Sequence, residues 1–151
     1  MSMDTILVAV GSDDEERLEA FAETAVDLAA GSDATVALAH VFEADEYERA
    51  KRNLDFDPDS EATPDAVAKR HVTVRRLGDA VADAGVAFTW HGRITNGETK
   101  GERIVSLAEE LGADIVVVGG RKRSPAGKAV FGSTAQEVML NAPCPVTFIR
   151  E

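Results

Sequence analysis

The stretch VVVGGRKRSPAGKAVFGSTAQEV runs from Val116 to Val138. Gly119 and Gly120 stand before Arg121, Lys122, Arg123 and Lys128, with no acid among these cations, and Gly132, Ser133 and Thr134 stand after them. Such residue types in this order suit an anion, and phosphate above all. Glycines let backbone N–H groups approach a phosphate without a side chain in the way. Ser133 falls where a helix begins, and the free N–H groups and dipole of a helix start favour negative charge. Its hydroxyl can donate to a phosphate oxygen. The same residues also fit a plainer role. Gly132 and Ser133 would then be only a loop and a helix cap, with the cations solvated or paired to carboxylates elsewhere.

The positive cluster is out of character with the rest of the chain. The 151 residues hold 27 acids and 16 bases, for a formal net charge of −11. Residues 115–151 carry five bases and two acids, whereas the remainder carries 11 bases and 25 acids. A surface rich in Asp and Glu with little Lys resembles proteins of salt-adapted cytoplasms, where counterions screen carboxylate repulsion. The negative field argues against nonspecific nucleic-acid binding. No apolar run approaches the ~20 residues of a membrane span, and no basic-then-apolar leader opens the chain. Cys144 is the single cysteine, which rules out an internal disulfide and fits a reducing cytoplasm.

The length suits one domain spanning residues 1–151. Hydrophobic residues make up 44% and aromatics 5%, so Val, Ala, Leu and Ile must fill the core. A continuous apolar run at 5–10 reads as a strand buried on both faces. Ser12 with Glu15 reads as a capping box, opening a helix near Asp13 that ends at Gly31. Residues 35–42 form a second strand. Residues 43–63 read as a long acidic connection, partly helical, of the kind that often forms a lid. Thr63-Pro64 starts a helix that continues through Val67, His71, Val74, Leu77 and Val81 to Gly85. A third strand spans 86–95, and Asn96-Gly97 turns the chain. Ile104, Val105, Ala108 and Leu111 mark a helix closed by Gly112. Residues 114–118 form a fourth strand, a helix follows from Ser133 or Thr134, and 146–149 form a fifth strand.

Strands alternating with helices predict an α/β fold: an open parallel five-stranded sheet with helices on both faces, Rossmann-like. The expected strand order is 3-2-1-4-5. Ligands of such sheets sit beyond the carboxyl ends of the strands where the order reverses, here between the first and fourth. Those loops begin at Gly11 and Gly119, and the basic cluster begins at Gly119. Two independent lines therefore meet at one place.

At this point the sequence resembles the universal stress protein family, over nearly its whole length. ILVAV, the pair His40-Val41, Gly97 before a helix, ADIVVVGG and the ending APCPV carry the resemblance. The nucleotide-binding branch of that family has G-x-x-G, nine residues, then G-S or G-T. This chain keeps Gly119, Gly132 and Ser133 at that spacing but has Lys122 at the second glycine. Lys122 either blocks the close backbone approach or contacts phosphate itself. Nucleotide-binding members place an Asp directly after the first strand. Here Gly11 holds that position, and either Asp13 or Asp14 substitutes or the grip on the nucleoside is lost. The resemblance implies ATP or another adenine nucleotide, with magnesium as a possible companion. Its site would draw on Val10, Gly11, Val41 (through its backbone, against adenine), Gly119, Gly120, Arg121, Lys122, Gly132, Ser133 and Thr134. It also implies a homodimer paired through the last strand, acting in a stress response.

Other tempting residues fall outside that scheme. His40, His71 and His91 are widely spaced, show no ligand-like spacing to Cys144, and read as core or packing residues. Cys144 reads as a structural thiol, and Phe88 and Trp90 as packing on one strand face. No catalytic residue and no metal ligand is assigned. Hydrolysis would be slow at most. The competing expectation is a family member that binds no nucleotide and acts as a protein-interaction module. An adenine-nucleotide enzyme of related fold is disfavoured, because neither an HxGH-like nor an SGGxDS-like element is present.

Overall fold

The computed structural model describes residues 3–54, 63–120 and 132–150. Five strands form one sheet: β1 (Thr5–Ala9), β2 (Thr35–Phe42), β3 (Phe88–Ile94), β4 (Ile115–Gly119) and β5 (Val146–Ile149). Their order is β3-β2-β1-β4-β5, and every pairing is parallel. The predicted 3-2-1-4-5 order and α/β class are thus found. Among the described residues, six α-helices accompany the strands: α1 (Leu18–Ala30), α2 (Ala44–Asn53), α3 (Pro64–Arg70), α4 (Val72–Asp83), α5 (Lys100–Leu111) and α6 (Ser133–Asn141). Among the described residues, no helix is long and apolar enough to cross a membrane.

Alternation along the central strand divides the core. Ile6 and Val8 join Phe21 and Ala25 of α1 and Val74, Leu77 and Val81 of α4 on one face. Leu7 and Ala9 join Ile104, Leu107 and Ala108 of α5 and Ala135 and Val138 of α6 on the other. β1 is covered on both sides, which is why its sequence is unbroken apolar rather than alternating. Phe88 and Trp90 meet edge to face, with ring centroids 5.0 Å apart.

Several boundaries follow local chemistry as expected. The Thr63 hydroxyl accepts from the Ala66 amide at 3.2 Å, with Pro64 opening α3. α5 begins with a reciprocal cap between Thr99 and Glu102 and stops at Gly112, whose φ of 64° only glycine adopts freely.

Other boundaries differ. The expected Ser12–Glu15 box is replaced by a 3₁₀ turn over Ser12–Arg17, in which the Asp14 carboxylate accepts from the Gly11 amide at 2.7 Å. α1 ends at Gly31 in a right-handed conformation, and Asp33 takes the positive φ. The 43–63 connection is partly helical as expected, with α2 over Ala44–Asn53. The single helix predicted over 63–85 is two, because His71 is extended (φ −64°, ψ 133°). Periodicity ran through His71 unbroken, but its ring stacks on His40 and its Nδ1 lies 2.6 Å from the Thr73 hydroxyl. Tertiary contacts override the local helical tendency there. β3 starts two residues later than predicted, at Phe88. It is an edge strand, and α3 screens it: Asp65 accepts from the Gly92 amide at 2.8 Å and pairs with Arg93 at 3.0 Å.

Candidate functional site

At the carboxyl ends of β1 and β4 the sheet opens a cavity of about 260 Å³. Val10, Gly11, Val41, Gly119, Gly120, Gly132, Ser133 and Thr134 all line it. These eight were singled out in the sequence, and the fold brings them together. Arg121 and Lys122, named with them, lie outside the described residues, as do Arg123 and Lys128 of the basic cluster. Asp13, Asp14, Arg17, Lys100 and Ile104 also line the cavity.

The β4–α6 wall is mostly backbone. Gly132 is the N-cap of α6 with φ 75° and ψ 153°, a conformation open to glycine and strained for other residues. It aims the start of α6 at the cavity, where the first-turn amides have no partner inside the helix. Gly119 and Gly120 have a different reason to be glycine. A Cβ on Gly120 would fall 2.0 Å from the Phe148 ring, and one on Gly119 would fall 2.5 Å from Asp14 Oδ1 and 2.9 Å from Phe21. Close packing demands both glycines whether or not a ligand binds.

The β1 wall is built from charge. Asp14 and Arg17 are 7% and 5% exposed. Arg17 donates to Asp14 Oδ1 through Nη2 at 2.8 Å and Nε at 3.2 Å, and to the Asp13 carbonyl at 3.1 Å. With Oδ2 on the Gly11 amide, the Asp14 carboxylate is engaged at both oxygens and anchors the loop. Asp13 is exposed beside the cavity. Of the two candidates to replace the family's Asp, Asp13 has its carboxylate open to a ligand, and Asp14 is committed to structure.

Behind the cavity lies a polar chain that spacing along the sequence did not reveal. His40 is 1% exposed. Its Nδ1 is 2.7 Å from the Val10 carbonyl and its Nε2 is 2.8 Å from Glu46 Oε2. Lys100, at the start of α5, pairs with Glu46 Oε1 at 3.3 Å. Burial alone would raise the Glu46 pKa, but the His40 hydrogen bond and charge, with Lys100 and the Glu43 amide, bring it down to about 2. The His71 ring lies against His40 with centroids 4.2 Å apart. Burial, then the charge of His40, lowers its pKa to about 4. His40 and His71 are 31 positions apart, so only the β2–α3 packing brings them together. A His within the apolar stripe of a single predicted helix gave no signal of this.

Cys144 is half-buried, and burial, then the charge of Asp114, pushes its thiol pKa up. That is the environment of an inert thiol. His91 lies on β3, with Nε2 2.8 Å from the Thr89 hydroxyl.

The model of the universal stress protein family matches residues 3–150. The chain belongs to this family. A universal stress protein of Mycolicibacterium smegmatis is 30% identical over 90 residues, covering 60% of this chain and 68% of its own. Among solved structures, a universal stress protein from Archaeoglobus fulgidus is 27% identical with a TM-score of 0.66, covering 99% of each chain. One from the same organism in complex with dAMP is 22% identical with a TM-score of 0.64, covering 99% of each chain. A universal stress protein in complex with cAMP is 21% identical with a TM-score of 0.65, covering 99% of this chain and 98% of its own. These last two likenesses are of fold. They share this Rossmann-like α/β architecture.

Proposed function

We propose that this protein binds ATP or another adenine nucleotide in the cavity between β1 and β4, and acts in a stress response as a cytoplasmic regulatory dimer. The observation that carries the reading is Gly132. Its positive φ precedes the start of α6, where Ser133 and Thr134 line a cavity at the point where strand order reverses. Family members of the same fold in complex with dAMP and cAMP support it. In this arrangement the phosphates lie at the start of α6, the base lies by Val41, and Asp13 faces the sugar or a phosphate-bound magnesium. Arg121 and Lys122 follow Gly120 directly in the sequence and would supply positive charge to a phosphate. No residue is assigned to catalysis, and hydrolysis is expected to be slow at most.

The test is calorimetric titration with Mg-ATP in molar KCl, with a check for nucleotide carried through purification. Wild-type protein should bind, and Gly132→Val should lose binding while its circular dichroism stays native. Retained affinity in the variant would sink the site assignment. No binding by the wild type, and no carried nucleotide, would sink the nucleotide reading.

The alternative, an interaction module without nucleotide, has its own support. The Asp14 carboxylate is already engaged at both oxygens, and packing alone accounts for Gly119 and Gly120. Such a protein would show no nucleotide-dependent rise in Tm, as linkage requires of any ligand selective for the native state.

The dimer is proposed to form through β5, the outer strand of the sheet. On α6, which packs against β5, Met139 and Leu140 are exposed at 37% and 77%. A second copy would cover that apolar edge. Sedimentation of the wild type against a Leu140→Glu variant tests this. The acidic composition supports a salt-adapted setting.

A further inference from the structure

Both ring nitrogens of His40 face hydrogen-bond acceptors. The Val10 carbonyl has no proton to give, so Nδ1 carries one and donates it at 2.7 Å. On the other side, Nε2 faces Glu46 Oε2 at 2.8 Å. That carboxylate is ionised at neutral pH and can only accept. A nitrogen lone pair and a carboxylate oxygen do not rest 2.8 Å apart unless a cation lies between them. In the described arrangement that cation is a proton. The same gap has the donors to hold a metal ion. His71 lies against the His40 ring, with its Nδ1 2.6 Å from the Thr73 hydroxyl. One ligand atom from each of His40, Glu46 and His71 lies within 4.8 Å of the others.

We propose that His40, Glu46 and His71 form a binding site for a divalent transition-metal ion, zinc foremost, which replaces the proton between His40 Nε2 and Glu46 Oε2. Two imidazoles and one carboxylate suit zinc, whereas magnesium and calcium take oxygen ligands. The outer support is already in place. Metal-bound histidines almost always donate their second N–H to a carbonyl or carboxylate, as His40 does to Val10. Three protein ligands would leave a fourth position for water.

Metal loading requires a small closure. Two donors each ~2.1 Å from one ion can be no more than ~4.2 Å apart, so any two ligand atoms farther apart than that must draw together. The stacked rings, inclined by 20°, must also splay so that both lone pairs converge. The partners able to move are Glu46, whose side chain is 21% exposed, and His71, which sits in the extended link between α3 and α4. Lys100 opposes the ion, since its ammonium is 3.3 Å from Glu46 Oε1. The site is separate from the nucleotide cavity and does not depend on the nucleotide reading, although the Val10 carbonyl borders both.

Purified protein stripped with chelator and titrated with Zn²⁺ against a fluorescent chelator provides the test. One equivalent should bind, and cobalt substitution should give the intense visible bands of a four-coordinate ion. Glu46→Gln and His71→Ala should each weaken zinc at least tenfold. Lys100→Met should tighten it, and His91→Ala should leave it unchanged. Affinity should fall as the pH falls, because binding displaces a proton from the ligands. No stoichiometric uptake would overturn the proposal. So would uptake unchanged in both ligand variants, or a pale octahedral cobalt spectrum, since both mark diffuse binding to surface carboxylates. Should His71→Ala fail to fold, Glu46→Gln, which keeps the side chain's shape, decides alone.

Discussion

The cavity wall given by β4 and α6 is made of glycines and backbone, and the wall given by the β1 loop is made of a buried ion pair. On the first, Gly119, Gly120 and Gly132 hold their places because no Cβ fits or because φ is positive. On the second, Asp14 and Arg17 hold the loop by charge and hydrogen bonds with almost no exposure. The glycine wall costs little to leave empty, since its exposed amides can meet water. The charged wall is sound only while both partners are present, because each desolvated charge depends on the other. The β1 wall can therefore change only if both members of the pair change together.

The sharpest way to break the contrast is at the charged wall. Arg17→Met leaves the Asp14 carboxylate buried on the Gly11 amide without its guanidinium, and should lower stability by about 3–5 kcal/mol. Adding Asp14→Asn should recover part of that loss, because the uncompensated charge is gone. Urea unfolding of the single and double variants measures the coupling. A loss below about 1 kcal/mol for Arg17→Met would place this pair with surface ion pairs.

At the glycine wall the expected effect is smaller and of another kind. Gly120→Ala drives a Cβ to 2.0 Å from the Phe148 ring, and overpacking of this sort costs about 1–3 kcal/mol. Phe148→Leu in the same chain should relieve most of it. Relief of stability together with unchanged nucleotide affinity would make Gly120 a packing glycine. Restored stability with lost affinity would make it a phosphate-approach glycine as well.

The same contrast explains what could be read in the sequence. β1 and β4 announce themselves as short apolar runs, and the parallel sheet with helices on both faces follows from the alternation of strands and helices. Gly132-Ser133 lies next to its own helix in the chain, so its role was legible from adjacent residues. The Asp14–Arg17 pair is three residues apart and still went unread. Ser12 and Glu15 offered a competing cap at the same spacing, and burial is not visible in spacing. His40, Glu46 and His71 were less legible still. They meet only because α2 and α3 fold back over the end of β2, a tertiary event that breaks the helix at His71 against its own periodicity.

The smallest effect is expected where an ion pair has the same elements as the buried one but not its burial. Arg76 of α4 meets Glu15 of the 3₁₀ turn at 3.3 Å, with side chains 53% and 59% exposed. Arg76→Ala should cost no more than about 1 kcal/mol at low salt. That cost should shrink further in molar KCl, where the screening length falls to ~3 Å. The cost of Arg17→Met should barely change over the same range, because few counterions reach a pair so deeply buried. Measured side by side in 0.1 M and 1 M KCl (concentrations chosen to bracket that ~10 to ~3 Å range), the two arginines separate burial from proximity. Equal salt sensitivity at both would mean that water and ions reach Arg17, and that the β1 wall opens in solution.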